Sequence, residues 1–206
     1  MAVEVWAKRL LISSTFTQAT MYVVRPFITY RAIEIDAGAT AIGLIGAIYA
    51  LFPVLLALKF GSWVGKYGEG KFLVVGTFSL IASCASLLFT NSVPTLAIAT
   101  AFAGLSHLAL MVGGQTMVAL RAPKADYNKL FGYYTFSASL GHTFGPVIAG
   151  LLAGSLANGM PEHSNYAFYF AIVLSSLALI PTFKWRNNTP TVKAAEEQSN
   201  TWSAAK

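Results

Sequence analysis

Residues able to do chemistry are few in this chain, and they sit inside long apolar runs. Thr15, Gln18, Tyr22, Arg25 and Thr29 follow one another at i, i+3, i+7, i+10 and i+14, which places five polar side chains on one helical face. Farther along, Gly104, His107, Met111 and Gln115 share a face, and His142 stands in a third apolar run. An imidazole and a carboxamide two turns apart in hydrocarbon need partners, because an unpaired polar group there is costly. Arg25 is the most expensive of these groups unless it meets water, a partner or the interface. Pro26 follows at once and frees the carbonyl of Tyr22. An ionisable residue beside an interrupted backbone points to a binding site. Gln18, Tyr22, Arg25, His107, Gln115 and His142 are therefore the candidate solute contacts. Two alternatives stay open. Arg25 snorkels to the headgroups or pairs with Glu34 or Asp36, and His107 makes a plain interhelical hydrogen bond.

The runs that carry these residues define the class. Of 206 residues, 55% are hydrophobic and only 11% charged, and the mean hydropathy is +0.59. Soluble domains are about one-quarter charged, so this is an all-helical membrane protein. Six apolar segments are each long enough to span a bilayer as a helix: 10–30, 40–60, 72–90, 94–120, 133–152 and 166–183. Lys8 and Arg9 precede the first. Polar residues interrupt that first segment and no small-x-small site follows it, so it reads as an uncleaved span.

Cations set the expected orientation. Lys8 and Arg9, then Lys59, Lys66 and Lys71, then Arg121, Lys124 and Lys129, then Lys184 and Arg186 alternate with loops that hold only Arg31 among cations, beside Glu34, Asp36 and Glu162. Both termini, residues 1–9 and the polar tail 187–206, are expected on the cytoplasmic side of the cell membrane. This bias explains the net charge of +6, so nucleic acid is not an expected partner; the lipid bilayer and a small solute are.

Several kinds of chemistry have no motif here. There is no phosphate loop, C-x-x-C, H-E-x-x-H or G-x-S-x-G pattern, and Cys84 is the one cysteine. His107, His142 and His163 are too scattered to argue for a metal, and no Asp or Glu falls inside the six segments. No cofactor, no metal and no enzymatic activity is expected. An intramembrane enzyme using His107 or His142, and a non-transporting six-helix scaffold, are the alternatives.

Glycine spacing supplies the conformational signal. Gly132, Gly141, Gly145, Pro146 and Gly150 punctuate the fifth segment, and Ser137, Gly141, Gly145, Ala149 and Ala153 form a stripe of small side chains at i, i+4. Such a stripe admits another helix at close range. A second stripe of Ala138, His142, Pro146, Gly150 and Gly154 runs beside it, and Pro146 makes the helix bendable by removing a bond to the His142 carbonyl. Between the second and third segments lies a cationic hairpin with Gly61, Gly65, Lys66, Gly68, Glu69, Gly70 and Lys71.

These two patterns resemble signatures of the major facilitator superfamily. The fifth segment is similar to its antiporter motif, G-x8-G-x3-G-P-x2-[G/A]-G, at every named position. The hairpin is similar to its loop signature G-x-x-x-D-R-x-G-R-R/K at Gly61, Gly68 and Lys71, with Lys66 for the arginine, Gly65 in place of the aspartate, and Glu69 and Gly70 in place of basic residues. The resemblance covers residues 10–186 and implies the amino-terminal half of a transporter. That half is a six-helix bundle of two inverted three-helix units, with helices one, two, four and five lining the cavity and three and six outside. It implies a secondary carrier of small solutes, tilting toward export, working by alternating access with a second six-helix half. That half is expected either from a homodimer or from a separate carboxyl-terminal half, the chain then being a split or truncated transporter, which is the expectation preferred. The small-residue stripe of the fifth helix is expected at the junction between halves.

Overall fold

The computed structural model describes residues 4–152 and 164–183, and these fold into six α-helices with no strand among them. The helices are α1 (Val5–Glu34), α2 (Ala39–Tyr67), α3 (Glu69–Leu87), α4 (Val93–Arg121), α5 (Tyr127–Leu152) and α6 (Ser164–Thr182), with one short 3-10 turn at Lys124–Asp126. Ala153, Gly154, His163 and the tail 187–206 lie outside the described residues. With 30 residues, α1 is about 45 Å long at 1.5 Å per residue, so it exceeds the hydrocarbon thickness. It runs through Pro26, as α2 runs through Pro53 and α5 through Pro146.

The hairpin expected around residues 61–71 is shorter than a loop. Gly61, Gly65 and Lys66 all lie within α2, Lys71 lies in the first turn of α3, and one residue, Gly68, separates the two helices. Its φ of 88° is one that side chains disfavour, and its N–H donates to the Val64 carbonyl at 2.9 Å.

Packing is centred on α1, which lies against α5 on one side, α6 on another and α4 on a third, while α3 bridges α4 and α6 and α2 leans on α4. Met21, Val23, Val24, Phe27, Ile28 and Ala32 make α1 the spine of the core. By contrast α2 buries only Ile45 and Val64, and its Leu58 is 91% exposed. Apolar side chains so open to their surroundings suit lipid or another protein surface. Four helices, α2, α3, α4 and α6, are long and apolar enough on their own to cross a membrane. The other two, α1 and α5, fall outside that group, and both carry polar side chains toward the inside of the bundle.

Where helices cross closely, the contacts are backbone to backbone. A Cβ added at Gly141 would stand 2.4 Å from the Thr15 carbonyl oxygen, and one at Gly145 would stand 2.7 Å from that of Ala19. Thr15 also donates its hydroxyl to the Ser137 carbonyl at 3.1 Å. The small-residue stripe therefore does close against a helix, but that helix is α1 of the same bundle, and the expectation of a junction between halves is corrected for Gly141 and Gly145. Helical period identifies a face and leaves its neighbour open. A matching contact joins α2 to α4: a Cβ at Gly104 would stand 2.2 Å from the carbonyl oxygen of Tyr49. This is the carbonyl that Pro53 leaves without its helical donor. Gly61 and Gly132 have nothing within 4 Å of a Cβ position.

Polar clamps hold both ends. At one, Glu69, 1% exposed, accepts from Arg121 Nη2 at 2.7 Å and Nε at 2.8 Å, tying the start of α3 to the end of α4. At the other, Glu34 accepts from the backbone N–H and hydroxyl of Ser164 at 2.8 and 2.7 Å and pairs with Arg31, which also donates to Asn165. A carboxylate on the first N–H groups of α6 is favoured by the helix dipole.

Two stability outcomes follow. Gly145→Leu must lower the temperature at which buried Cys84 becomes reactive to a thiol dye, since overpacking costs about 1–3 kcal/mol, whereas Gly61→Ala, with open space beside it, leaves that midpoint unchanged or higher. Equal midpoints for the two would contradict the crossing. Arg121→Leu leaves the buried Glu69 carboxylate without its cation and destabilises by about 3–5 kcal/mol, and Glu69→Leu also destabilises. The double variant loses less than the sum, and strict additivity in that cycle would mean the pair is not coupled.

Candidate functional site

Gln18 is the hub of the site. It sits about one helical turn before Tyr22 on α1, 4% exposed, where α4 and α5 both reach α1. Its Oε1 lies 3.3 Å from His107 Nε2 and 3.2 Å from His142 Nε2, and its Nε2 donates to Met111 Sδ at 3.2 Å. A carboxamide oxygen has two lone pairs and no proton, so both imidazoles must present Nε2–H. That choice leaves Nδ1 of neutral His107 unprotonated, and it accepts the Tyr49 hydroxyl at 2.8 Å. Hence a chain of hydrogen bonds with fixed polarity runs from Tyr49 on α2 to His107 on α4 to Gln18 on α1, where His142 of α5 joins it.

Aromatic contacts close the chain into a ring. Tyr22 stacks on His142 with centroids 3.7 Å apart and planes 20° from parallel. The guanidinium carbon of Arg25 lies 5.9 Å from the Tyr22 centroid and 4.9 Å from that of Tyr49, within cation–π range.

Two small chambers lie along this ring. One, of about 250 Å³, is lined by Gln18, Tyr22, His107, Gln115, Tyr134 and His142, with Met111, Phe131, Thr135 and Ala138. The other, of about 200 Å³, is lined by Arg25, Thr29, Tyr49 and Thr100 among apolar neighbours of α1 and α2. Five of the six candidate solute contacts thus share the first chamber and Arg25 opens the second. The alternative pairing of Arg25 with Glu34 does not form, because Glu34 is held by Arg31 and the start of α6.

Three contributors escaped the sequence reading. Tyr49 has no site role there; a hydroxyl in mid-span, one turn before Pro53, was the available signal. Tyr134 is not singled out there, yet it lines the first chamber and abuts Gly114. Thr100 lies in an Ala-rich run with nothing periodic to mark it, and its hydroxyl is buried with no partner.

An apolar bundle with a ring of paired polar side chains on its inner helices is the architecture of an integral membrane protein built around a polar cavity. Residues 10–205 match the Major Facilitator Superfamily, and the chain belongs to it. Among its relatives, an uncharacterised MFS-type transporter of Methanocaldococcus jannaschii is 30% identical over 161 residues, 78% of this chain and 40% of that protein. Multidrug resistance protein 1 of Bacillus subtilis is 29% identical over 149 residues, covering 71% of this chain and 36% of its own length. The quinolone resistance protein NorA of Staphylococcus aureus is 27% identical over 147 residues, 70% and 36% of the two chains. The chain therefore spans about two-fifths of the length of these relatives.

Loss of the hub must be worse than loss of one spoke. Gln18→Leu strands two imidazole N–H groups, at about 1–3 kcal/mol for each left unsatisfied, and lowers the unfolding midpoint more than Tyr49→Phe, which removes one donor. The reverse order in thermal unfolding would contradict the assigned ring.

Proposed function

We propose that the chain is one half of a secondary transporter for small organic solutes, with Gln18, Tyr22, Arg25, His107, Gln115 and His142 on its share of the cavity wall and a second six-helix half opposite. The observation that carries this reading is the polar ring itself. Four helices spend their polar side chains on a shared cavity, and the rest of each helix is apolar enough for lipid. All six helices span the membrane in this reading, with both termini cytoplasmic as the Lys and Arg bias favours.

The packing supports two inverted three-helix units. Exchanging α1 with α4, α2 with α5 and α3 with α6 turns the α1–α5 pair into α4–α2 and the α1–α6 pair into α4–α3, and all four are principal contacts of the bundle. Each cavity pair also crosses at a glycine, Gly141 and Gly145 in one and Gly104 in the other. Alternating access then consists of this bundle rocking against its counterpart, with bending at Pro26, Pro53 and Pro146. Gly65, Lys66, Gly68 and Lys71 shape the tight α2–α3 turn at the cytoplasmic end. The names of the bacterial relatives favour export of organic molecules from the cell, and family membership favours a carrier over an intramembrane enzyme.

Since Gly141 and Gly145 are taken by α1, the opposite half is expected on the open faces of α2 and α5, where Leu55, Leu58, Phe136, Phe144, Val147 and Leu151 are exposed. Single cysteines at Phe144 and Val147, in a Cys84→Ser background, should crosslink to a second copy or to a supplied carboxyl-terminal half. Norfloxacin should leave proteoliposomes only when that partner is present. A strictly monomeric chain that moves norfloxacin would defeat the need for a second half. A crosslinked pair that moves nothing would favour the scaffold reading.

A further inference from the structure

Arg25 lines one chamber and touches Tyr22, which lines the other. Its guanidinium rests against the rings of Tyr22 and Tyr49, and forms no ion pair among the described residues. Rings satisfy the flat face of a guanidinium and leave its edge of N–H donors, which suits a planar anion. No Asp, Glu or Lys lines either chamber. Thr100, 1% exposed, also lines the Arg25 chamber and its hydroxyl has no hydrogen-bond partner, while Thr29 adds a second hydroxyl. A chamber of about 200 Å³ holds a charged head group rather than a drug-sized body.

One imidazole is placed to answer that charge. Both nitrogens of His107 are engaged, Nε2 with Gln18 and Nδ1 with Tyr49. His142 spends Nε2 on Gln18 and stacks on Tyr22, the ring that Arg25 also touches, which leaves Nδ1 to take a proton. The titratable and charged groups around His142 are Tyr22 and Arg25 from α1, His107 from α4 and Tyr134 on its own helix, and none of them carries a negative charge at neutral pH.

We propose that the Arg25 chamber binds a monoanionic head group of the carboxylate or sulfonate class, and that its binding draws a proton onto His142. An imidazolium and a guanidinium on one tyrosine ring repel each other while the chamber is empty. An anion on Arg25 cancels that repulsion, so anion and proton bind together, and by reciprocity each strengthens the other by the same factor.

The inference rests on the solute cavity proposed above, and a binding equilibrium separates it from transport. Benzenesulfonate is ionised throughout the working range, so any pH dependence belongs to the protein. In nanodiscs holding the full chain, its affinity measured by calorimetry should rise on the order of tenfold from pH 7.5 to pH 5.5. Arg25→Ala should abolish binding, Arg25→Lys should retain part of it, and His142→Asn should remove the pH dependence whatever affinity remains. Burial of Cys84 in each variant, read with the thiol dye, verifies the fold. Wild-type affinity in a folded Arg25→Ala, or unchanged pH dependence in His142→Asn, would overturn the proposal. Coupled binding with no movement of any solute even when a second half is supplied would leave it standing and defeat the transport reading. Transport of norfloxacin with no benzenesulfonate binding at either pH would do the opposite.

Discussion

Close approach of helix backbones is the constraint on which the rest of this structure depends. At Gly141 and Gly145 the axis of α5 comes so near α1 that one added carbon would collide with the carbonyls of Thr15 and Ala19, and at Gly104 α4 does the same to the carbonyl of Tyr49. These contacts draw Tyr49, His107 and His142 to within hydrogen-bond reach of one carboxamide or one another. Bulkier residues at the three glycines would hold the helices apart, and the same imidazoles would then lack partners in a place where water does not compensate. Glycine content and polar content in this chain are one design, since each polar side chain here depends on a small residue nearby.

The central position of α1 has a corresponding cost. It is the most polar of the long helices, and the bundle covers it with three neighbours while α2, the most apolar, is left almost bare. In water that order would be inverted. Within a membrane it is the economical order, because apolar surroundings, whether lipid or a second apolar bundle, receive Leu55 and Leu58 freely and reject Gln18. The clamps at the two ends, Glu69 with Arg121 and Glu34 with Arg31 and Ser164, lie beyond the cavity and fix α3 to α4 and α1 to α6. They hold the outer pairs, while the prolines of α1, α2 and α5 sit in the cavity helices.

Much of this was legible in order of residues and some of it was not. The polar face of α1 could be read because helical period alone places Gln18, Tyr22 and Arg25 together, and the fifth-helix pattern of Gly141, Gly145 and Pro146 named the family that the match over residues 10–205 identifies. Period could not say which helix the small stripe would meet, so its contact with α1 had to come from the fold. Tyr49 was passed over because one aromatic residue in an apolar run looks like packing, and its role depends on His107, 58 positions away. Glu69 looked like a departure from a basic loop signature, whereas its carboxylate is the partner of Arg121, 52 positions on. Pairings at that separation leave no periodic trace.

The tautomers of the two cavity histidines test the account most directly. With three histidines in the chain, long-range proton–nitrogen correlation spectra of imidazole-labelled protein in nanodiscs can be assigned by single substitutions. At a pH where both rings are neutral, the hydrogen bonds to Gln18 Oε1 require His107 and His142 to carry their proton on Nε2, with His107 Nδ1 shifted as an acceptor from Tyr49, and Gln18→Leu should release that preference in both rings together. A protonated Nδ1 on His107, or tautomers indifferent to Gln18, would contradict the hub and the cavity built around it.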